Sequence, residues 1–434
     1  MTHFGTICPT ATGHLNTMTA LGRELKKRGH RVTVLGMADA EPNAEAAGLG
    51  FRPISGDELP VGTTAKFYEE LGKLNGLTAL RYTTSLSEQT TALFLRDAPQ
   101  VIQDAGIEAL IIDECIFGGS TVADFLNIPF VTVCSALVNG FDHSIPPYFK
   151  TWQYNPAWWA RLRNRVGYEL MLLSFSKPIR QVISKFRREW NLPPCTNIND
   201  FYSVSKLAII SQQVAEFEYP RPNLARLLHF TGPHFDVTAR KSVDFPFEKL
   251  NGQPLIYASM GTLQNRLHNI FHHIAESCVG LDAQLVLALG GGLEPQDLPN
   301  LPGNPIVVKY APQLELLQKA SLTICHAGTN TVLESLFYGV PLVTIPITND
   351  QPGVAARIVW SGTGKFISTS RLTTPRLRQA IQEVLTQPSY KNNALRLKTA
   401  MNQAGGVGRA VDIIEEVILK NQSVSLTGDK TVED

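Results

Sequence analysis

The chain has no apolar run near the roughly 20 residues that a membrane-spanning helix needs, so a soluble protein is expected. It has no surplus of either charge: 39 Lys and Arg stand against 38 Asp and Glu, a formal net charge of +1. A broad basic field for nucleic acid is therefore absent, and no nucleic-acid partner is expected. Cysteine is sparse. Cys8, Cys115, Cys134, Cys195, Cys278 and Cys325 lack the paired spacing of a zinc site, and several lie inside apolar strand-like runs. That pattern suits free buried thiols in a reducing compartment rather than disulfides or a metal. Met-Thr leads directly into a strand-like run, without the basic-then-apolar segment of a secretory signal, so a cytoplasmic location is expected. No G-x-G-x-x-G follows the first strand, which argues against a dinucleotide site there. The triple glycine Gly290–Gly292 reads as a phosphate cradle or as a strand-ending turn; the absence of a following Lys or Ser favours the turn.

What the chain does have is alternation. Its 434 residues are long for one core and natural for two domains. HFGTICP, RVTVLG, GFRPIS, ALIIDE and FVTVCSA are buried-strand runs separated by helical patterns, including a long one from about Thr64 to Ala105. The character changes over about 140–200, which is dense in aromatics and proline and then basic and helical as far as Trp190. KLAIIS and LLHFTGP restore the strand pattern. Residues 1–235 thus form a first domain and 236–252 a linker. A second alternating domain covers 253–405, with LIYASMG, QLVLALGGG, PIVVKYA, SLTIC, PLVTIP and GKFIS as strands. Residues 406–421 form an amphipathic helix, and the polar tail 422–434 is expected to be disordered. Such alternation means mostly parallel sheets covered by helices on both faces.

The most informative stretch runs from Tyr310 to Gln351. SLTIC is a strand, HAGTNT a turn, VLESLF a helix with apolar residues at Leu333, Leu336 and Phe337, and PLVTIP a second strand after Gly339. A turn of small and polar residues that opens a helix directs several backbone N–H groups and the positive end of the helix dipole at one point, which favours phosphate. His326, Asn330 and Thr331 add side-chain donors. Glu334 and Asp350 add the acceptors that sugar hydroxyls need. Donors for a diphosphate beside acceptors for two sets of hydroxyls suit a nucleotide sugar.

These residues resemble the donor signature of the UDP-dependent glycosyltransferases of the GT-B fold. In that pattern an aromatic-x-Pro-Gln is followed by His-x-Gly-x-Asn-Ser/Thr, Glu, Gly-Val-Pro and Asp-Gln. The resemblance implies that Tyr310 stacks on uracil and that the Ala311 backbone bonds the base. It implies that Gln313 and Glu334 hold the ribose, and that His326, Gly328, Asn330 and Thr331 surround the phosphates. Asp350 and Gln351 would hold the sugar, and Thr262, after LIYASMG, would reach the diphosphate. Thr329 and Tyr310 stand where plant members carry Trp. The implied fold is α/β: two Rossmann-like, doubly wound parallel-sheet domains facing each other across a cleft, with the terminal helix crossing back to the first.

Sugar transfer needs a base for the acceptor hydroxyl. His14 follows the first strand, at the carboxyl edge where α/β sheets bind ligands, and imidazole titrates near neutrality. Asp113 ends ALIID at the same edge and can orient the ring and stabilise the imidazolium. The resembled family has this pair at these positions. Glu114 is the alternative partner, although strand alternation turns it the other way. No metal motif is present, so the departing diphosphate would rest on backbone amides, His326, Asn330 and Thr331.

Asn139, Pro146, Phe149 and Trp152, with the neighbouring aromatics Tyr148, Tyr154, Trp158 and Trp159, read either as the lining of a large apolar acceptor pocket or as an aromatic core of the helical insertion. The N-terminal domain resembles the bacterial zeaxanthin glucosyltransferase branch, with His143 where an acidic residue is common. Arg161, Arg163, Arg165, Lys177, Arg180, Lys185, Arg187 and Arg188 can rest on anionic lipid or form a solvated basic face.

The expected activity is inverting, metal-independent transfer of a sugar, glucose by preference, from a UDP-sugar to a hydroxyl of a lipophilic small molecule (a xanthophyll, polyphenol or polyketide) by a monomer without a cofactor. A UDP-sugar epimerase of the same fold and a non-catalytic auxiliary subunit are the alternatives.

Overall fold

The computed structural model describes residues 1–428 except 75, 141, 196–197, 236–242 and 263–266. Part of the expected linker, residue 75 inside the long helical pattern and the end of the tail (429–434) therefore lie outside the described residues.

The first sheet contains β1 (His3–Ile7), β2 (Arg31–Gly36), β3 (Gly50–Pro53), β4 (Ala109–Asp113), β5 (Phe130–Cys134), β6 (Ile209–Ser211) and β7 (Leu228–Phe230), in the order β3-β2-β1-β4-β5-β6-β7. The second contains β8 (Leu255–Ser259), β9 (Gln284–Ala288), β10 (Ile306–Val308), β11 (Ala320–Cys325), β12 (Leu342–Thr344) and β13 (Gly364–Phe366), in the order β10-β9-β8-β11-β12-β13. Every pairing in the two sheets is parallel. Parallel strands bury both faces, and every residue of β1 and β4 is buried, the polar His3, Thr6 and Asp113 included.

Strand order reverses between β1 and β4 in the first sheet and between β8 and β11 in the second. Chains leaving the carboxyl ends of such neighbours turn to opposite faces and leave a crevice, the usual ligand site of open α/β sheets. His14 follows β1 and Asp113 ends β4; Thr262 and the His326–Thr331 turn follow β8 and β11.

Helix Thr12–Lys27 buries Leu15, Met18, Leu21 and Leu25, the three/four spacing of one face. Helix Gly406–Gly428 returns to this face, where Val411, Ile414 and Ile418 join the same core. Arg28 fixes its approach by donating to Asp412 and Glu415, 2.7 Å each, and to the Gly408 carbonyl at 3.1 Å. The helix continues to Gly428, seven residues past the end expected from its amphipathic run. A further core spans both halves: Leu137, Val214 and Phe217 pack with Val332, Leu333, Val354 and Ile358.

Candidate active site

His14 occupies the first turn of helix Thr12–Lys27 rather than the preceding loop, because the helix begins directly after Ala11. Its Nδ1 lies 2.8 Å from Asp113 Oδ2, with the carboxylate fully buried and the ring one-fifth exposed. Asp113 Oδ1 accepts the Cys115 backbone N–H at 2.9 Å, so both carboxylate oxygens are engaged and the ring is aimed. Burial works against the charged imidazole, but attraction and hydrogen bonding to Asp113, with Asp350 and Glu114 farther off, outweigh it and raise the pKa above the ordinary 6.5. Glu114 turns the opposite way, as alternation along a strand requires, and accepts the Asn139 backbone N–H at 2.7 Å. Burial pushes its carboxyl up to about 8; the Asn139 contact opposes this and the Asp113 charge reinforces it. Asp113, not Glu114, is the partner of His14.

Across the cleft, Gly328 caps helix Thr329–Phe337 with no side-chain cap and no acidic residue in the first turn. The first N–H groups of that helix are therefore left for another partner. Ala327, ahead of the cap, is held at φ 66°, a left-handed conformation that costs an alanine roughly 1–2 kcal/mol. Half-buried His326 packs under two glycines. A Cβ on Gly261 would lie 2.6 Å from the ring, a Cβ on Gly328 would collide with it, and Gly261 also sits at φ 81°. Burial lowers this imidazole to about 4, against a backbone contact at Ser259, so it is neutral at physiological pH. Exposed Thr262 stands next to Gly261. Asn330 and Thr331 are half-buried in the first turn.

Gln313 and Glu334 are joined: Gln313 Nε2 donates to Glu334 Oε2 at 2.5 Å, and Gln313 Oε1 accepts the Tyr257 hydroxyl at 2.9 Å. Tyr310 is half exposed, its hydroxyl lying where a Cβ on Gly291 would be. The triple glycine is thus the turn after β9 and gives room to an aromatic. Ala311 packs against the core formed by β8, β9 and helix Gln313–Lys319. Asp350 Oδ2 accepts the Thr329 hydroxyl at 2.9 Å and the Leu137 N–H at 3.4 Å. Gln351 Oε1 accepts the N–H groups of Ile347 and Thr348 at 2.8 and 3.0 Å, shaping the loop before its helix.

The two crevices meet. A Cβ on Gly13 would lie 2.6 Å from Asn330 Nδ2, and Asn330 Oδ1 accepts from Gln212 at 2.7 Å. The start of the helix carrying His14 therefore faces the start of the helix carrying Asn330.

Behind Cys115 a cavity of about 180 Å³ opens from the ends of β1, β2 and β4 towards the long helix Gly76–Ala105. Cys8, Met37, Thr91, Phe94, Ile116 and Phe117 contribute to its lining. None of Asn139, Pro146, Phe149 and Trp152 lines it. Asn139 is held by Glu114, and Pro146 is buried. Phe149 packs edge-on against Tyr148, with Lys150 above it. Trp152 lies against Gly167, beneath Arg163. Tyr154 stacks on Tyr219 and meets Trp360 edge-on, whereas Trp158 is 76% exposed. The cavity-lining side chains come from five separate segments, so no local pattern in the sequence marks them. Ligand-capable atoms of His14, Asp113 and Cys115 lie within 4.8 Å of one another. Burial, with the Asp113 and Glu114 carboxylates nearby, holds the Cys115 thiol well above its ordinary pKa.

Comparison with known proteins agrees with this geometry. The family model described as UDP-glucoronosyl and UDP-glucosyl transferase matches residues 63–404. The chain is 31% identical over 427 residues to the zeaxanthin glucosyltransferase of Pantoea ananas, covering 98% of each, and 30% identical to that of Pseudescherichia vulneris, covering 98% of this chain and all of the other. Among solved structures, a kitacinnamycin glycotransferase superposes with a TM-score of 0.75 at 21% identity over 96% of this chain and 99% of the other. The calicheamicin glycosyltransferase CalG4 does so with 0.74 at 20%, over 96% and 98%. Both place the fold among GT-B glycosyltransferases. The chain belongs to the UDP-glucuronosyl and UDP-glucosyl transferase family.

Proposed function

We propose that this glycosyltransferase is inverting and metal-independent, and that it moves glucose from UDP-glucose to a hydroxyl of a lipophilic acceptor. The observation that carries this reading is the buried Asp113 carboxylate holding His14 directly opposite the uncapped start of helix Thr329–Phe337. With Nδ1 bonded to Asp113, Nε2 is the nitrogen left to take a proton. The acceptor O–H gives its proton to Nε2 while its oxygen bonds to the anomeric carbon from the face opposite the diphosphate. The bond from that carbon to the diphosphate oxygen breaks, and UDP leaves with the electron pair. Its charge develops against the helix N-terminus and the Asn330 and Thr331 donors. The Gln313–Glu334 pair holds the ribose, Tyr310 stacks on uracil, and Asp350 and Gln351 receive the sugar hydroxyls. Closure of the cleft excludes water from the diphosphate.

The cavity beside Cys115 supplies the acceptor site: it is apolar, with hydroxyls at Ser87, Thr90 and Thr91. An epimerase has no use for it. The two zeaxanthin glucosyltransferases support a xanthophyll-like acceptor and glucose as the sugar. Both halves of the site come from one chain, which supports action as a monomer; the six free cysteines support a reducing, cytoplasmic setting. Incubating the protein with a panel of UDP-sugars and hydroxylated acceptors, reading products by mass spectrometry and anomeric configuration by NMR, tests this. A β-glucoside from UDP-α-glucose is expected. An α-glucoside, or release of a free epimer without acceptor, would contradict it.

A further inference from the structure

Helix Trp158–Met171 and the π-helical turn Leu172–Ser176 that follows it are amphipathic in the wrong sense for a helix bathed in water. The face turned to the protein carries Ala160, Asn164, Gly167 and Tyr168. The face turned outward carries Trp158, Leu162, Val166, Leu170 and Leu173, which are 76, 55, 50, 63 and 70% exposed. They follow one another at spacings of four, four, four and three, so they form one ridge about 22 Å long. Single exposed apolar residues are ordinary; a continuous ridge marks a contact surface.

Charge identifies the contact. Arg161, Arg165 and Lys177 flank the ridge and are exposed, and Glu169 is the only acidic residue between Trp158 and Lys177. An apolar stripe with an aromatic residue at one end and a basic border is what a helix lying in the headgroup layer of an anionic bilayer requires. The ridge also leads to the cavity. Phe175, at its end, is 6.2 Å ring to ring from Phe117, and Phe117 lines the cavity. Apolar contacts thus run from the exposed helix to the space beside His14.

We propose that this helix seats the protein on an anionic lipid surface and that the acceptor passes from that surface into the cavity. The proposal rests on the reading of the enzyme as a transferase with a lipophilic acceptor. Its test uses the full chain and flotation with vesicles of phosphatidylcholine alone or with about 25 mol% phosphatidylglycerol. The wild type is expected to float with the anionic vesicles only, and less so as salt rises. The double variant Leu162→Glu/Val166→Glu should lose binding at least tenfold, and Arg161→Gln/Arg165→Gln roughly ten- to thirtyfold. Neither variant should change glucose transfer to a water-soluble phenol, which also reports that the fold is intact. Transfer to zeaxanthin dissolved in anionic vesicles should fall with binding.

A wild type that transfers glucose yet floats with neither vesicle would overturn the membrane proposal and leave the transferase reading standing. So would a wild-type dimer that Leu162→Glu/Val166→Glu converts to a monomer without vesicle binding, since the ridge would then join two copies. Flotation without transfer to either acceptor would instead overturn the transferase reading.

Discussion

An imidazole held by a buried carboxylate titrates where its neighbours put it. In the proposed reaction the base must be unprotonated to accept the acceptor proton, and Asp113 raises the pKa of His14 above 6.5. The acid limb of kcat/KM against pH should therefore lie above 6.5, with rate climbing as pH rises through it. Asp113→Asn removes the attraction and leaves the desolvation, so the limb should move to lower pH while kcat falls by roughly 10²–10⁴-fold. A variant that keeps both the limb and the rate would release Asp113 from this role. The ion pair also stabilises the fold: that contribution is complete below the ordinary imidazole value and fades as pH rises through the raised one.

The contacts within the Tyr310–Gln351 stretch were legible because one continuous βαβ unit carries them and spacing fixes which side chains share an edge, whereas Thr262, after β8, lies outside it. Gln313 meets Glu334 and Asp350 meets Thr329 within that unit. Alternation at the end of β4 sets Asp113 and Glu114 on opposite sides but does not say which meets His14; the 2.8 Å contact of Asp113 with Nδ1 decides it.

At the scale of elements, the strands announced themselves through unbroken apolar runs, and only boundaries moved, as at the start of the first helix. The aromatic run after β5 carried no such signal. Proline and aromatic density says that a segment packs, not against what. Here much of it lies along helix Gln351–Trp360: Gln153 donates to the Ala356 carbonyl at 3.2 Å, and the Tyr148 carbonyl lies against Gly353. That contact yields a prediction whose sign depends on magnitudes. Alanine favours a helix interior over glycine by about 1 kcal/mol. A methyl at Gly353, however, would meet a backbone carbonyl that cannot swing aside, and overpacking of this kind costs about 1–3 kcal/mol. Gly353→Ala should lower the thermal midpoint; a higher one would mean that the two segments are not in contact in solution.

At the scale of the whole molecule, the two halves are clamped by a buried pair that no local pattern predicts. Arg357, on helix Gln351–Trp360, places Nε 2.8 Å and Nη2 2.5 Å from Glu218 Oε1, and its guanidinium lies over Tyr219. The partners are 139 residues apart in the chain, so sequence reading sees two isolated charges. Burial opposes the ionised Glu218, but Arg357 and Arg221 more than offset it and hold the carboxyl below its ordinary range. Arg357→Met would leave that carboxylate buried with Arg221 at 3.7 Å and the Tyr219 N–H at 2.7 Å, and without the cation that bonds it directly. A loss of about 3–5 kcal/mol in urea unfolding is expected, with much of it recovered in Glu218→Gln/Arg357→Met. A single-variant loss below about 1 kcal/mol would show that the clamp does not hold the halves together.

In the proposed reaction the halves divide the labour: one activates the acceptor, the other holds the nucleotide. Turnover and UDP affinity measured side by side in His14→Ala and Glu334→Ala test that division most directly. His14→Ala should lower kcat by roughly 10²–10⁴-fold with UDP affinity nearly intact, whereas Glu334→Ala should weaken UDP binding. Unchanged turnover in the first, or an unchanged UDP titration in the second, would contradict it.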